Sequence, residues 1–161
     1  MMSARTEWHL VQPVSVEQKL NALGKEDPKI RLLRTIPGVG ARLSEALVAV
    51  IDDPRRFRDG KQVSSYLGMV PRLYESGQMS RNGHITRAGN AMLRGLLVEV
   101  SWLALRWNPY LAEMYKRIRG GSKSRSKVAI VAVARHLLVM AWAMLRKNQP
   151  WRAPKVSTAA A

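Results

Sequence analysis

Ile36-Pro37-Gly38-Val39-Gly40 stands between the apolar run Ile30-Arg31-Leu32-Leu33 and a periodic run of Leu43, Ala46, Leu47, Val50 and Ile51. Both flanks repeat every three or four residues, so each reads as a short amphipathic helix, and the five residues between them read as a turn. Pro37 lacks an N–H and holds its own φ, whereas Gly38 and Gly40 tolerate left-handed backbone and carry no side chain. The backbone amides of Gly38, Val39 and Gly40 can therefore come close to an anion, with the positive dipole end of the second helix beside them.

This pattern resembles the helix-hairpin-helix motif, which binds nucleic-acid phosphates without reading sequence. Composition points the same way. The chain has 27 Lys and Arg against 11 Asp and Glu, a net charge of +16 on 161 residues, and a pI near 11.2. A polyanion relieves the self-repulsion of such a chain. With 47% hydrophobic residues it can still build a core, and its length suits one compact domain plus ends. The absence of cysteine excludes disulfides and thiolate zinc sites and is compatible with a reducing cytoplasm.

Outward from the turn, Asp27-Pro28 offers an N-cap and a proline at the first helical position, and Asp52-Asp53-Pro54 ends the second helix. Residues 1–27 read as the remnant of a helical connector, with Val16, Leu20 and Leu23 at helical spacing. Residues 61–67 read as a short helix that turns Val63, Tyr66 and Leu67 inward and closes at Gly68. From Val70 to Thr86 the helical period disappears, which predicts an irregular loop or a small hairpin turning at Asn82-Gly83. Periodicity returns at Asn90 and places Leu93, Leu96, Leu97, Val100, Leu103 and Ala104 on one face, until Asn108-Pro109 stops it.

A further helix leads into residues 116–127, where Lys116, Arg117, Arg119, Lys123, Arg125 and Lys127 occur with two glycines and no acid. This predicts a mobile cationic loop that clamps phosphates. Ser126 is placed to cap the helix that follows. Residues 128–145 of that helix are apolar at almost every position, but Arg135 and His136 at the centre oppose a membrane span. A buried core helix, with His136 as a hydrogen-bonded core histidine, explains the pattern better. The expected fold is mainly α: a bundle of about six helices with at most one small β-hairpin, a core domain over residues 28–150 and a disordered tail over 151–161.

Chemistry is scarce in the composition. The three histidines lack metal-ligand spacing, and the carboxylates near the loop, Asp52, Asp53 and Glu75, are too few for a two-metal nuclease site, so no metal site is expected in this chain. The loop does hold Ser76, with Arg72, Arg81 and Arg87 nearby in sequence. Arginines can stabilise charge developing on a phosphate. On spacing alone, however, a serine beside a glycine is a common turn feature.

Five ordered blocks carry more. They are Ile36-Pro37-Gly38-Val39-Gly40; Phe57, Gln62 and Tyr66-Leu67-Gly68-Met69-Val70-Pro71; Glu75-Ser76-Gly77; Gly83-His84-Ile85-Thr86-Arg87-Ala88-Gly89-Asn90 with Leu93-Arg94; and Lys127-Val128-Ala129 with its helix. Together they resemble the C-terminal transposase domain of the Piv/MooV-related insertion-sequence transposases, the family of bridge-RNA-guided recombination. The resemblance covers roughly residues 28–150.

It implies that Ser76 is the nucleophile of DNA strand exchange through a phosphoserine intermediate. It also implies magnesium held by the acids of a RuvC-like domain absent from this chain and supplied in cis or in trans. The implied partners are DNA, a structured guide RNA, that acidic domain and further copies of the chain. The implied setting is a cytoplasmic, nucleoid-associated protein of a bacterium or archaeon, with no membrane. The basic residues named above, together with Gly38, Val39 and Gly40, are the candidate nucleic-acid contacts. The competing readings are a non-catalytic DNA- or RNA-binding module, a truncated remnant inactive without the acidic domain and, more remotely, a membrane-surface protein.

Overall fold

The computed structural model describes residues 27–76 and 79–154, with residues 72–76 and 79–83 described by backbone alone. Of the connector expected over residues 1–27 all but Asp27, and of the tail expected to be disordered over 151–161 residues 155–161, lie outside the described residues. Trp151 corrects the tail expectation, since it is half-buried, packs on Tyr110 and bonds through its N–H to the Thr35 hydroxyl.

Helix α1, Pro28–Leu33, begins as its capping signal dictates, because the Asp27 carboxylate accepts from the Lys29 N–H at 2.7 Å. The turn follows, and α2, Ala41–Ile51, runs to Asp52, whose left-handed φ of 54° ends it. A 3₁₀ turn over Pro54–Arg56 leads to α3, Gly60–Tyr66, which Asp59 caps by accepting from the N–H groups of Lys61 and Gln62. Strands β1, Pro71–Ser76, and β2, Met79–Ile85, then form an antiparallel hairpin. Helix α4, Ala91–Trp107, starts where the Asn90 side chain accepts from the Leu93 N–H. Asn108 caps α5, Pro109–Arg119, and α6, Ser126–Lys147, completes a mainly helical fold of six helices among the described residues.

The core is built around α6. Ala129, Ile130, Val133, Ala134, Leu137, Leu138 and Ala141 are buried, and α1 to α5 and the 3₁₀ turn all pack on this helix. Surrounded so completely, it has no need of a polar face. It is long and apolar enough to cross a membrane, but 56% of its apolar window is buried inside the protein. Its far end is pinned by polar bonds: the Trp142 indole N–H donates to the Pro54 carbonyl at 2.9 Å, and Arg146 donates to the carbonyls of Phe57 and Arg58.

Three local expectations change. Tyr66 is not an inward residue of α3: it is 44% exposed, its ring packed against Phe57 and under the Arg56 guanidinium. Leu103 is 52% exposed because the buried face of α4 runs through Leu93, Leu97, Ser101 and Ala104. Each helical residue turns about 100°, so the neighbour of Ala104 points elsewhere. Ser126 does not cap α6 through its side chain, because it already has helical dihedrals in continuity with the 3₁₀ turn Lys123–Arg125.

Candidate nucleic-acid interface and serine hairpin

Register decides where Ser76 lies. Ser76 pairs with Met79, Glu75 with Ser80, Tyr74 with Arg81, Leu73 with Asn82 and Pro71 with Ile85. The turn therefore falls between Ser76 and Met79, and Ser76 is the last residue of β1 beside the tip. Asn82-Gly83 is not the turn. Two steps along β1 between Pro71 and Leu73 face three along β2 between Asn82 and Ile85, so the pair belongs to an irregularity that gives β2 an extra residue. Arg72 lies within β1 near that irregularity, and Arg81 occupies the β2 position opposite Tyr74, two residues from Ser76.

The base of the hairpin is interlocked. The Thr86 N–H donates to the Val70 carbonyl at 2.9 Å, and the Arg87 N–H donates to the Gly68 carbonyl at 3.1 Å. Gly68 and Gly89 both have left-handed φ, 66° and 73°, and each meets opposing backbone so closely that no side chain fits. Arg87 is exposed, also with positive φ. Half-buried Arg94, from the first turn of α4, brings Nη1 to the carbonyls of Leu67 and Gly89 at 3.2 Å and to that of Ala88. One guanidinium thus ties the end of α3 to the segment before α4. Hydrogen bonds from a charged donor contribute about 1.5–3 kcal/mol. Arg94→Ala should cost about 2 kcal/mol, and hydrogen exchange should show the hairpin amides losing more protection than those of α6.

The turn after α1 is packed as well as bent. Ile36 and Val39 are buried, and a Cβ on Gly38, whose φ is 87°, would stand 2.6 Å from the Ala104 Cα. The Val39 N–H already donates to the Ile36 carbonyl at 3.1 Å, so one of the three candidate amides is used inside the turn. Gly40 is exposed at the start of α2, with open space where a Cβ would stand and no side-chain cap hydrogen bond on that helix.

The basic segment is not a loose loop. Lys116, Arg117 and Arg119 belong to the end of α5; Gly120 and Gly121, with φ of 57° and 78°, reverse the chain; Lys123 and Arg125 lie in the 3₁₀ turn; and Lys127 is in the first turn of α6. The glycines end a helix rather than loosen it, because the left-handed residue after α5 lets the Gly120 N–H bond to the Lys116 carbonyl at 3.0 Å. Lys116, Arg117, Lys123, Arg125 and Lys127 are exposed on this corner.

A cleft of about 620 Å³ runs between the hairpin base, at Pro71 and Ile85, and the start of α6, at Val128. Lys61 and Arg135 line it, along with Asp59 and His136. It links two sets of residues far apart in sequence: the base of the serine hairpin and the start of α6, which directly follows the basic corner. His136 shares a 3.1 Å hydrogen bond with the Tyr110 hydroxyl. Burial, and secondarily the Arg117 charge, hold its pKa below the ordinary 6.5, so it is neutral at pH 7. Among the described residues no three His, Cys, Asp or Glu side chains come together as a metal site.

Residues 30–116 match the family model described as "Transposase IS116/IS110/IS902 family", more than half of the chain. The chain belongs to this transposase family. It is 30% identical over 139 residues to a protein of Pseudomonas aeruginosa named "Probable family 20 transposase", covering 85% of this chain and 41% of that one. It is 29% identical to the "Pilin gene-inverting protein" of Moraxella lacunata over 136 residues, 83% of this chain and 42% of that one. The "Transposase for insertion sequence element IS1111A" of Coxiella burnetii is 29% identical over 144 residues, 84% of this chain and 38% of that one. The chain thus spans about two fifths of the length of these relatives.

The transposase family match runs from the first helix pair through the serine hairpin and α4 into α5. Sequence reasoning alone assigned no part to Arg94, Lys61 or Arg135. Arg94 had a signal, since it stands in the block that closes on Leu93-Arg94. Lys61 and Arg135 had none, because only packing of α3 on α6 brings them to one cleft.

Proposed function

We propose that this chain is the strand-exchange domain of an insertion-sequence transposase, with Ser76 as the nucleophile that attacks a DNA phosphodiester. The observation that carries this reading is the position of Ser76, beside the tip of a hairpin whose interlocked base borders the mainly apolar cleft that holds Lys61 and Arg135, in a chain of this family. In the step proposed, the Ser76 Oγ bonds to phosphorus while the bond to the 3′ oxygen breaks. The serine proton leaves to solvent or a base, and the departing 3′ oxygen takes one up. A second 3′ hydroxyl then attacks the 5′-phosphoserine, restores the phosphodiester and frees the serine. One phosphoester replaces another, so no external energy source is needed.

Arg72, Arg81 and Arg87 are assigned to the phosphate that reacts, and the corner from Lys116 to Lys127 to phosphates farther along the strand. The turn of Gly38, Val39 and Gly40 is assigned to backbone contact of the helix-hairpin-helix kind, through Gly40 and the start of α2. The described residues do not compose a magnesium site, so we assign that ion to a RuvC-like acidic domain acting in cis or in trans. A structured guide RNA, assembly with further copies of the chain and a nucleoid location in the cytoplasm complete the proposal, as do the boundaries of 28–150 for the domain and 1–27 for a connector.

Salt dependence tests the binding half. Affinity for a DNA duplex should fall by about a thousandfold between 50 and 200 mM salt if about six phosphates are contacted. Changing Lys123, Arg125 and Lys127 together to alanine should flatten the slope of log affinity against log salt by up to about three. A flat profile in the unsubstituted protein would remove nucleic acid as the partner.

A further inference from the structure

A second cleft, of about 370 Å³, lies on another side of α6, beneath the segment that follows the helix. Its rings come from distant parts of the chain: Tyr110 at the start of α5, His136 in the middle of α6 and Trp151 beyond its end. The Tyr110 ring centroid is 5.6 Å from that of His136 and 6.2 Å from that of Trp151, with interplanar angles of 46° and 54°. Tyr110 and His136 are held by their mutual hydrogen bond. Trp151 is held from outside, because its backbone N–H donates to the Thr35 hydroxyl at 2.9 Å, and that hydroxyl donates to the Leu32 carbonyl at 2.7 Å.

All three aromatic residues are half-buried, neither sealed into the core nor freely exposed. Met140 and Met144 line the cleft beside them, Lys147 and Arg152 are exposed among its lining residues, and none of those residues is an acid. A flat, apolar slot with cations at its edge suits a planar group attached to an anion. The chain's charge of +16 favours the same kind of occupant.

We propose that this cleft stacks an unpaired nucleobase of a nucleic-acid strand on Tyr110 and Trp151, with Lys147 and Arg152 meeting its phosphates. Base stacking on aromatic side chains tolerates any sequence, and a cationic rim tracks the backbone. The inference rests on nucleic acid being the partner, but it assigns a site separate from the serine hairpin and specific to unpaired strands.

The test compares labelled oligo(dT) and oligo(U) with a DNA duplex, using the full chain and its Tyr110→Leu, Tyr110→Phe and Trp151→Leu variants. Either leucine variant should weaken single-strand binding by about tenfold, the scale for losing one stacked base, and leave duplex binding unchanged. Tyr110→Phe keeps the ring and should keep the binding. Equal loss in the two oligomers marks the shared base chemistry, and unequal loss names DNA or RNA as the source. Photocrosslinking of thio-substituted oligomers to the unsubstituted protein makes the test independent of how the variants fold. Crosslinks should map to Tyr110, His136 or Trp151, and crosslinks confined to other regions would overturn the proposal. So would single-strand binding that ignores both leucine variants while duplex binding persists. Failure of duplex and single strands alike would instead remove the nucleic-acid reading itself.

Discussion

Ser76→Ala should reduce covalent DNA adduct and strand transfer to background while leaving duplex affinity unchanged. The alanine keeps its place at the end of β1, opposite Met79, so the hairpin register and the interlocked base persist. Only the oxygen that would bond to phosphorus is removed. Loss of a nucleophile takes away the covalent route rather than a fraction of it. The measurement is a denaturing gel and mass spectrum on labelled duplex, with magnesium and a separately supplied acidic domain. An adduct mapped to Ser76 and missing from the variant would establish the mechanism. Equal binding by both proteins with no adduct from either would reduce this chain to a non-catalytic nucleic-acid-binding module.

Gly68→Ala should be among the most destabilising single substitutions in the fold. A Cβ there would stand 2.2 Å from the Ala88 carbonyl oxygen and 2.3 Å from the Ala88 nitrogen, at a φ of 66°. The obstacle is backbone, so it cannot rotate away as a side chain would. Left-handed backbone costs a non-glycine residue about 1–2 kcal/mol, and forced overpacking typically adds about 1–3 kcal/mol. A loss of about 3 kcal/mol or more is expected, equivalent to a drop of roughly 10 °C in Tm. Gly89→Ala should behave alike, since its Cβ would meet the Tyr66 carbonyl oxygen at 2.2 Å. Gly40→Ala provides the contrast. With φ of −93° and open space around it, it should shift stability by no more than about 0.5 kcal/mol. Thermal unfolding followed by circular dichroism separates the three.

These glycines show how legibility varied along one chain. Gly38 and Gly40 attracted notice as a pair for their backbone freedom, yet the fold treats them differently. Gly38 is a packing residue that seats the turn against Ala104, whereas Gly40 stays open at a helix start. Gly83 stood in an Asn-Gly pair that is a strong local hairpin signal, but the hairpin turns elsewhere. Strand register depends on which residues pair across the gap and on how the ends are held, and a dipeptide carries neither. In the same way, six basic residues with two glycines described a loop by composition. Helix α5 continues through Arg119 because its apolar residues pack on α6 and Gly120 supplies a left-handed stop.

Local hydrogen bonds and periodicity are written in neighbouring residues, and most of that reading holds, although Tyr66, Leu103 and Ser126 depart from it. The cap at Asp27, the buried character of the apolar C-terminal helix, the hydrogen-bonded state of His136 and the mainly helical class all follow from signals within a few residues. The ordered blocks also marked Ser76 and pointed to the transposase family. Tertiary structure alone decided that Ser76 sits beside a hairpin tip, that Arg94 ties down the hairpin's base, and that this base shares a cleft with Lys61 of α3 and Arg135 of α6. The same is true of Tyr110, His136 and Trp151 meeting in one slot. The reason is physical: caps and periodicity are energies between residues a few positions apart, while clefts, brackets and register arise from contacts tens of residues apart that form only when the core around α6 closes.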